Sequence, residues 1–398
     1  LIDGQYRNLG HETRLIHRYG SPTLPQVFLV GARLYKGNTH NRQGEASDGG
    51  GADFEFLNPD NLEQSDYIFP GSNLAIFAEH IIRLSSRLSI TPGVRAERIQ
   101  TSSDGYYKYR VISGGDVILD QRIQDQQSRI RSFVLAGIGL SYQFGAHDTE
   151  FYANASQNYR SINFSDLVTV NPNLVIDPNL TDEHGYTLEA GLRGQLREGH
   201  GRFDLSAFYM RYNDRIGLTE VIRGSPARLM SFRTQVGDAA IAGIEMYGEC
   251  EFIRRHLSDS LWSLRPFLNI SLIRGRYVKG APDIQGNALE LVPPFTVRTG
   301  IDVGYKNFGM SLLYSYVHWH YSDATNAEQV SDATRGIIPT YSVADFAIRW
   351  RIGSLTINTG INNLLNQAYF TRRATGYPGP GILPAEGRSA YIGIRADF

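Results

Sequence analysis

The chain of 398 residues carries 39 Lys and Arg against 40 Asp and Glu, a formal charge of −1, so it has neither the basic excess of a nucleic-acid binder nor the acidic excess of a disordered tail. Tyr (23), Phe (19) and Gly (41) are plentiful at 41% hydrophobic residues, and the single cysteine, Cys250, excludes an intramolecular disulfide. No run of about eighteen apolar residues exists, which excludes a membrane-spanning helix but not a strand that alternates.

In chain order, short turns read at "RLSSR" (83–87), "FGAHD" (144–148) and "LREGHG" (196–201), with long connections near 37–71, 100–127 and 160–182. Just before the third turn, "TLEAGLRGQL" sets Leu188, Ala190, Leu192 and Leu196 against Thr187, Glu189, Arg193 and Gln195, a period of two. A long segment over 215–239 leads into "GIEMYGE", where Ile244 and Met246 oppose Glu245, Tyr247 and Glu249. Another long segment, 277–295, precedes "TVRTGIDVGY", with Val297, Ile301, Val303 and Tyr305 on one face. The turn "YKNF" (305–308) leads to "MSLLYSYVHW", and a long segment near 321–340 leads to "SVADFAIRWRI", with Phe346, Ile348 and Trp350 opposing Asp345, Arg349 and Arg351. After the turn "RIGS" (351–354) the chain closes on "EGRSAYIGIRADF", in which Ala390, Ile392, Ile394, Ala396 and Phe398 form the oily face.

Strict alternation of short and long connections is the signature of a transmembrane antiparallel β-barrel, short turns on the periplasmic side and long loops outside. The fold class is therefore all-β, with about fifteen strands. Bacterial single-chain barrels have an even strand number, so the reading is the C-terminal part of a barrel of about 22 strands over residues 1–398, with an N-terminal plug and the first strands expected upstream of Leu1.

The stretch 360–398, with its "NNLLNQAY" strand end, long last loop and "GRSAYIGIRADF" strand, resembles the C-terminus of TonB-dependent outer-membrane receptors. Within that family the chain looks most like the ferric dicitrate type, through "YRNLGHETRLIHRY" (6–19), "GADFEF" (51–56), "NYRSINFSDL" (158–167), "GIEMYGE" and "YSDATNAE" (321–328). The resemblance implies outer-membrane import of a ferric siderophore, most simply ferric citrate, in a Gram-negative bacterium. It also implies TonB with ExbB and ExbD as partners through the upstream segment, and Phe398 as the signal read by the barrel assembly machinery. Outer-membrane lipid and lipopolysaccharide are the expected surroundings, with no nucleic acid, no enzyme activity and no cofactor beyond an Fe(III) chelate as cargo. Another siderophore, cobalamin, an oligosaccharide or a passive porin are the alternatives left open.

An anionic, oxygen-rich chelate calls for arginine, whose planar fork pairs with carboxylates and stays charged. The extracellular candidates are Arg42, Arg160, Arg223, Arg228, Arg233, Arg335, Arg372 and Arg373, with Asn163, Asn326 and Tyr377 as neutral donors. For any one of these arginines the plainer role is a solvated charge or a partner for lipopolysaccharide phosphate. His318 and His320 continue the Tyr314 and Tyr316 face and read as interfacial residues, not metal ligands; Glu245, Glu249 and Glu251 read as lumen lining, and Cys250 as a small lipid-facing residue. No nucleophile elbow, P-loop or zinc-spaced Cys/His cluster occurs.

Overall fold

The computed structural model describes residues 1–47, 51, 53–144, 149–163, 174–196, 200–223, 228–257, 260–331, 333–374 and 381–397, and every regular element among them is a β-strand. The first six are β1 (Ile2–Ser21), β2 (Leu24–Gln43), β3 (Ser65–Arg83), β4 (Leu88–Ser113), β5 (Asp116–Phe144) and β6 (Thr149–Arg160). After the short β7 (Leu174–Ile176) come β8 (Glu183–Gln195), β9 (Gly201–Arg223), β10 (Arg228–Cys250), the short β11 (Ile253–Leu257) and β12 (Ser260–Gly280). Next are β13 (Phe295–Tyr305), β14 (Phe308–Val317) and a loop ladder of β15 (His320–Tyr321) with β16 (Ile337–Ile338). Then follow β17 (Tyr341–Ile352), β18 (Leu355–Asn362), a second loop ladder of β19 (Phe370–Ala374) with β20 (Gly381–Pro384), and β21 (Ser389–Ala396).

Setting aside β7, β11 and the two loop ladders, fifteen strands form one antiparallel meander in which each pairs with its predecessor. β7 lies parallel to β10, and β11 folds back on β12. Among the described residues β1 and β21 pair on one side only. Turns such as 306–307 and 353–354 close one end, where Gly353 takes the positive φ (58°) that a tight hairpin demands. The other end carries the connections 44–64, 161–182, 281–294, 318–340 and 363–388.

The register extends the alternation across the whole sheet. One rung runs Leu15–Val30–Ala78–Val94–Ala136, and another runs Ala207–Ile244–Leu272. A third, Val303–Met310–Ile348, lies beside the rung Trp350–Ile357–Ile394. This face is apolar and open: Ile76 is 57% exposed, Trp350 50% and Ile394 69%. A continuous oily surface across fifteen strands is far beyond what a water-facing sheet carries, and among the described residues no second sheet covers it. The opposite face holds the charges, including the ion pairs Glu150–Arg193 at 2.8 Å and Glu249–Arg202 at 2.6 Å.

Two expected loops are strands instead. Residues 100–113 and 116–127 lie within β4 and β5, 26 and 29 residues long, and 215–223 and 228–239 within β9 and β10. Polar and charged runs such as "DQRIQDQQ" (120–127) and "RTQVGD" (233–238) interrupt the alternation here, so the hydropathy pattern fades while the backbone ladder continues. Arg42, Arg160, Arg223, Arg228 and Arg233 therefore sit on strand ends, not on loops. A bulge at Gly237 (φ 143°) shifts the β9–β10 and β10–β12 registers; a Cβ there would lie 2.0 Å from the Lys279 carbonyl oxygen.

The buried core lies in the layer that the long connections form. One cluster joins Tyr67, Phe69, Ile162 and Leu180, and a second joins Val236, Ala239, Tyr277, Ile284, Leu289 and Ala324.

Candidate functional site

Three charged nodes tie the long connections to the strand extensions. Around the 44–64 connection, Arg42 pairs with Asp3 at 2.6 Å and lies over the Phe56 ring, while Arg110 pairs with Glu45 at 3.0 Å. Glu63 is buried there, which raises its carboxyl, but the Glu45 amide at 2.8 Å and the Asn58 amide at 2.5 Å outweigh burial and hold it below its ordinary value.

At the 161–182 connection, Arg131 Nε stands 3.0 Å from Asp182, and its Nη2 donates to the Ile162 carbonyl at 2.9 Å. Tyr159 also donates to Asp182. Arg160 pairs with Glu183 at 2.8 Å, and Glu183 accepts the Ile216 amide at 2.8 Å. Asn163 is exposed at the start of this connection.

The third node joins 281–294, 318–340 and the last connection to the β9–β10 hairpin. Arg215 pairs with Glu290 at 3.0 Å, and the buried Tyr277 hydroxyl donates to the same carboxylate at 2.7 Å. Arg211 pairs with Asp238 at 2.9 Å, and Arg335 with Glu220 at 2.6 Å. Asn326, at φ 56°, accepts the Ala288 amide and donates to the Ala288 carbonyl, both at 2.8 Å. Arg373 donates to the carbonyls of Ala333 and Ile337, both at 2.8 Å, and burial pushes its guanidinium below the ordinary arginine value.

The structure thus brings Asn326, Arg335 and Arg373 into one node and places Arg42 and Arg160 in two others. Arg223 and Arg228 are register partners at the end of the β9–β10 ladder, and the Arg233 carbonyl accepts the Asp177 amide at 2.9 Å. Arg372 is exposed on β19. Tyr377 and Phe398 lie outside the described residues.

His320 departs from its expected interfacial position: it is 8% exposed within the β15–β16 ladder, and burial lowers its pKa. Its Nδ1 lies 3.1 Å from the His318 carbonyl oxygen. Among the described residues no group of three His, Cys, Asp or Glu is placed to hold a metal.

Sequence reasoning passed over Arg131, Arg211 and Arg215 with their partners Asp182, Asp238 and Glu290.

On the polar face of the wall, Tyr152 donates to Glu189 at 3.3 Å and Asp204 at 3.2 Å, and Ser271 to Glu245 at 3.3 Å. Near the short turns, Arg265, Asp302, Arg349 and Arg351 line a concavity of about 640 Å³. The wall is therefore a charged surface backed by an oily one.

A family model described as TonB dependent receptor-like, beta-barrel, matches residues 3–364. No curated protein resembles the chain closely enough to count as a relative. Among solved structures, the ferric yersiniabactin uptake receptor FyuA from Yersinia pestis superposes with a TM-score of 0.71 at 17% identity, over 100% of this chain and 55% of that one. The unliganded ferric citrate transporter FecA gives 0.71 at 17% identity, over 99% and 55%. The ferric-catecholate import receptor Fiu from K12 E. coli, closed form, gives 0.73 at 13% identity, over 99% and 55%. The chain spans about half the length of these structures. At such identities the likeness carries the fold: the meander is barrel wall, oily face outward and charged face inward.

Proposed function

Because the chain belongs to the TonB dependent receptor-like β-barrel family, we propose that it supplies the wall and outer mouth of a receptor that imports a ferric chelate. The family resides in the outer membrane of Gram-negative cells, and its members are receptors, not enzymes. The observation that carries the reading is the arginine-rich layer over a wall whose outer face carries an apolar band and whose inner face is charged. An anionic chelate suits such a mouth, because arginine forks grip carboxylates without displacing their metal.

Ferric citrate is our preferred cargo. The resemblance in sequence and the ferric citrate transporter among the structural neighbours support it; ferric yersiniabactin and ferric-catecholate receptors stand equally near in fold. A copper transporter with a TM-score of 0.69 keeps a metal other than iron as the second reading. Uptake would be driven by TonB with ExbB and ExbD acting on a plug domain, and assembly would proceed through the barrel assembly machinery.

Of the candidate arginines, Arg372 is exposed with no acidic partner among the described residues, whereas Arg373 serves as a clamp. Arg372→Ala in the full-length receptor is expected to weaken ferric citrate binding, followed by intrinsic fluorescence, by about tenfold or more, the loss of a charge-assisted bond. Unchanged affinity would reject Arg372 as a ligand contact. Growth on single iron sources separates citrate from other chelates.

A further inference from the structure

We propose that the inner wall at the short-turn end of β12–β18 carries a transit site for a small polycarboxylate, the last contact of an anionic chelate before it leaves the barrel. The site deepens the import reading and rests on it.

The register builds it. Arg265–Asp302–Ser311–Ala347 forms one inner-face rung across β12, β13, β14 and β17, and Ser263–Gly304–Gly309–Arg349 forms the next toward the short turns. Arg351 stands one rung further, opposite Thr356. Between Arg265 and Arg349 the wall thus carries little beyond Asp302, Ser311 and two glycines. The concavity left there holds about 640 Å³, within the range of small-molecule sites.

A strand glycine forgoes side-chain packing and marks a place where something comes close. At Gly360 that something is the Tyr391 ring, 2.7 Å from where a Cβ would stand. At Gly309 and Gly393 a Cβ would meet nothing nearer than 3.9 Å, so packing within the wall does not demand glycine there. The bare backbone leaves room for a visitor to the lumen.

The charge says which visitor. Arg265, Lys306, Arg349 and Arg351 line the concavity against one carboxylate, Asp302. Elsewhere on the inner face Arg95, Arg193 and Arg202 pair with Glu97, Glu150 and Glu249, whereas among the described residues no carboxylate pairs with Arg265, Arg349 or Arg351. Like charges on one wall repel, and a bound polyanion relieves them. Arginine forks take carboxylates two bonds at a time. All three guanidinium-bearing residues are exposed, so each contact is weak, as release to the periplasm requires.

Phenylglyoxal modification of the purified full-length receptor, read arginine by arginine by mass spectrometry, tests the site without a mutation. Arg349 and Arg351 are expected to react, and citrate is expected to slow both by about tenfold, because it holds the guanidinium in charge-assisted bonds. Sodium chloride at equal ionic strength is expected to leave the rates unchanged. Arginines unreactive from the outset, the result if another part of the full-length chain sits on them, or reactive but unprotected by citrate, would overturn the site. In cells, Arg349→Gln with Arg351→Gln is expected to lower the maximal uptake rate of ferric citrate by about tenfold, with binding at the mouth as in wild type. Arg349→Lys with Arg351→Lys is expected to keep most of the rate, and heat-modifiable electrophoretic mobility confirms that each variant is folded. Wild-type uptake by the glutamine variant, or its new sensitivity to a large antibiotic that the intact receptor excludes, would also overturn the site; the latter means that these arginines hold the lumen shut. Absence of ferric citrate uptake by the wild type strikes the cargo assignment alone, since the phenylglyoxal rates still decide whether the wall binds carboxylates.

Discussion

Asn326 and Arg373 were both sequence candidates for touching cargo, and both spend their hydrogen bonds on main chain in neighbouring loops. Residue type alone does not separate these uses: the same guanidinium serves a carbonyl or a chelate, and a bond to another loop's backbone leaves no mark in a linear sequence. Removing either side chain strands buried groups, so Asn326→Ala and Arg373→Ala are expected to destabilise the 318–340 connection by about 1–3 kcal/mol each. Hydrogen exchange across 318–340 measures this, and protection equal to wild type would contradict the clamp. His320 adds a pH dependence. Its pKa lies below the ordinary 6.5 because burial disfavours the cation, so the unfolded state binds the proton more readily. Stability from this residue is full above 6.5 and declines as pH falls below it toward the native value. Protection factors in the β15–β16 ladder, corrected for the intrinsic pH dependence of exchange, are expected to fall on acidification, and His320→Gln is expected to abolish that response.

At the scale of the element, alternation revealed the strands wherever one face meets oil. "GIEMYGE" and "SVADFAIRWRI" lie in β10 and β17 with the expected faces, because a period of two admits only one register once a face is apolar. Where β4, β5, β9 and β10 rise past the band that constraint vanishes, and residues 100–127 and 215–239 read as loops although the ladder goes on. The same physics predicts asymmetric mutational costs on β10. Ile244→Arg places a charge in hydrocarbon and is expected to cost about 2–4 kcal/mol near the midplane, whereas Tyr247→Arg on the charged face is expected to cost far less. Refolding yields into lipid vesicles distinguish them, and equal losses would contradict the assigned faces.

For the whole molecule, the central claim is that fifteen strands separate hydrocarbon from a charged lumen. An open strand edge in lipid leaves its amides and carbonyls unsatisfied, so the edges of β1 and β21 require partners in the membrane. Among the described residues the buried clusters sit in the mouth, where Tyr67, Ile162 and Leu180 or Tyr277, Ile284 and Leu289 pack the connections together. The wall gains its order from backbone ladders, and the described part of the mouth from these two clusters. The most direct test is spin-label accessibility along β10 in the full-length receptor, one cysteine at a time from 242 to 249 in a Cys250→Ser background, reconstituted in lipid. Positions 242, 244, 246 and 248 are expected to collide with dissolved oxygen, and 243, 245, 247 and 249 with a water-soluble nickel chelate. Loss of that two-residue alternation, or protection of the even positions from both reagents, would contradict the account.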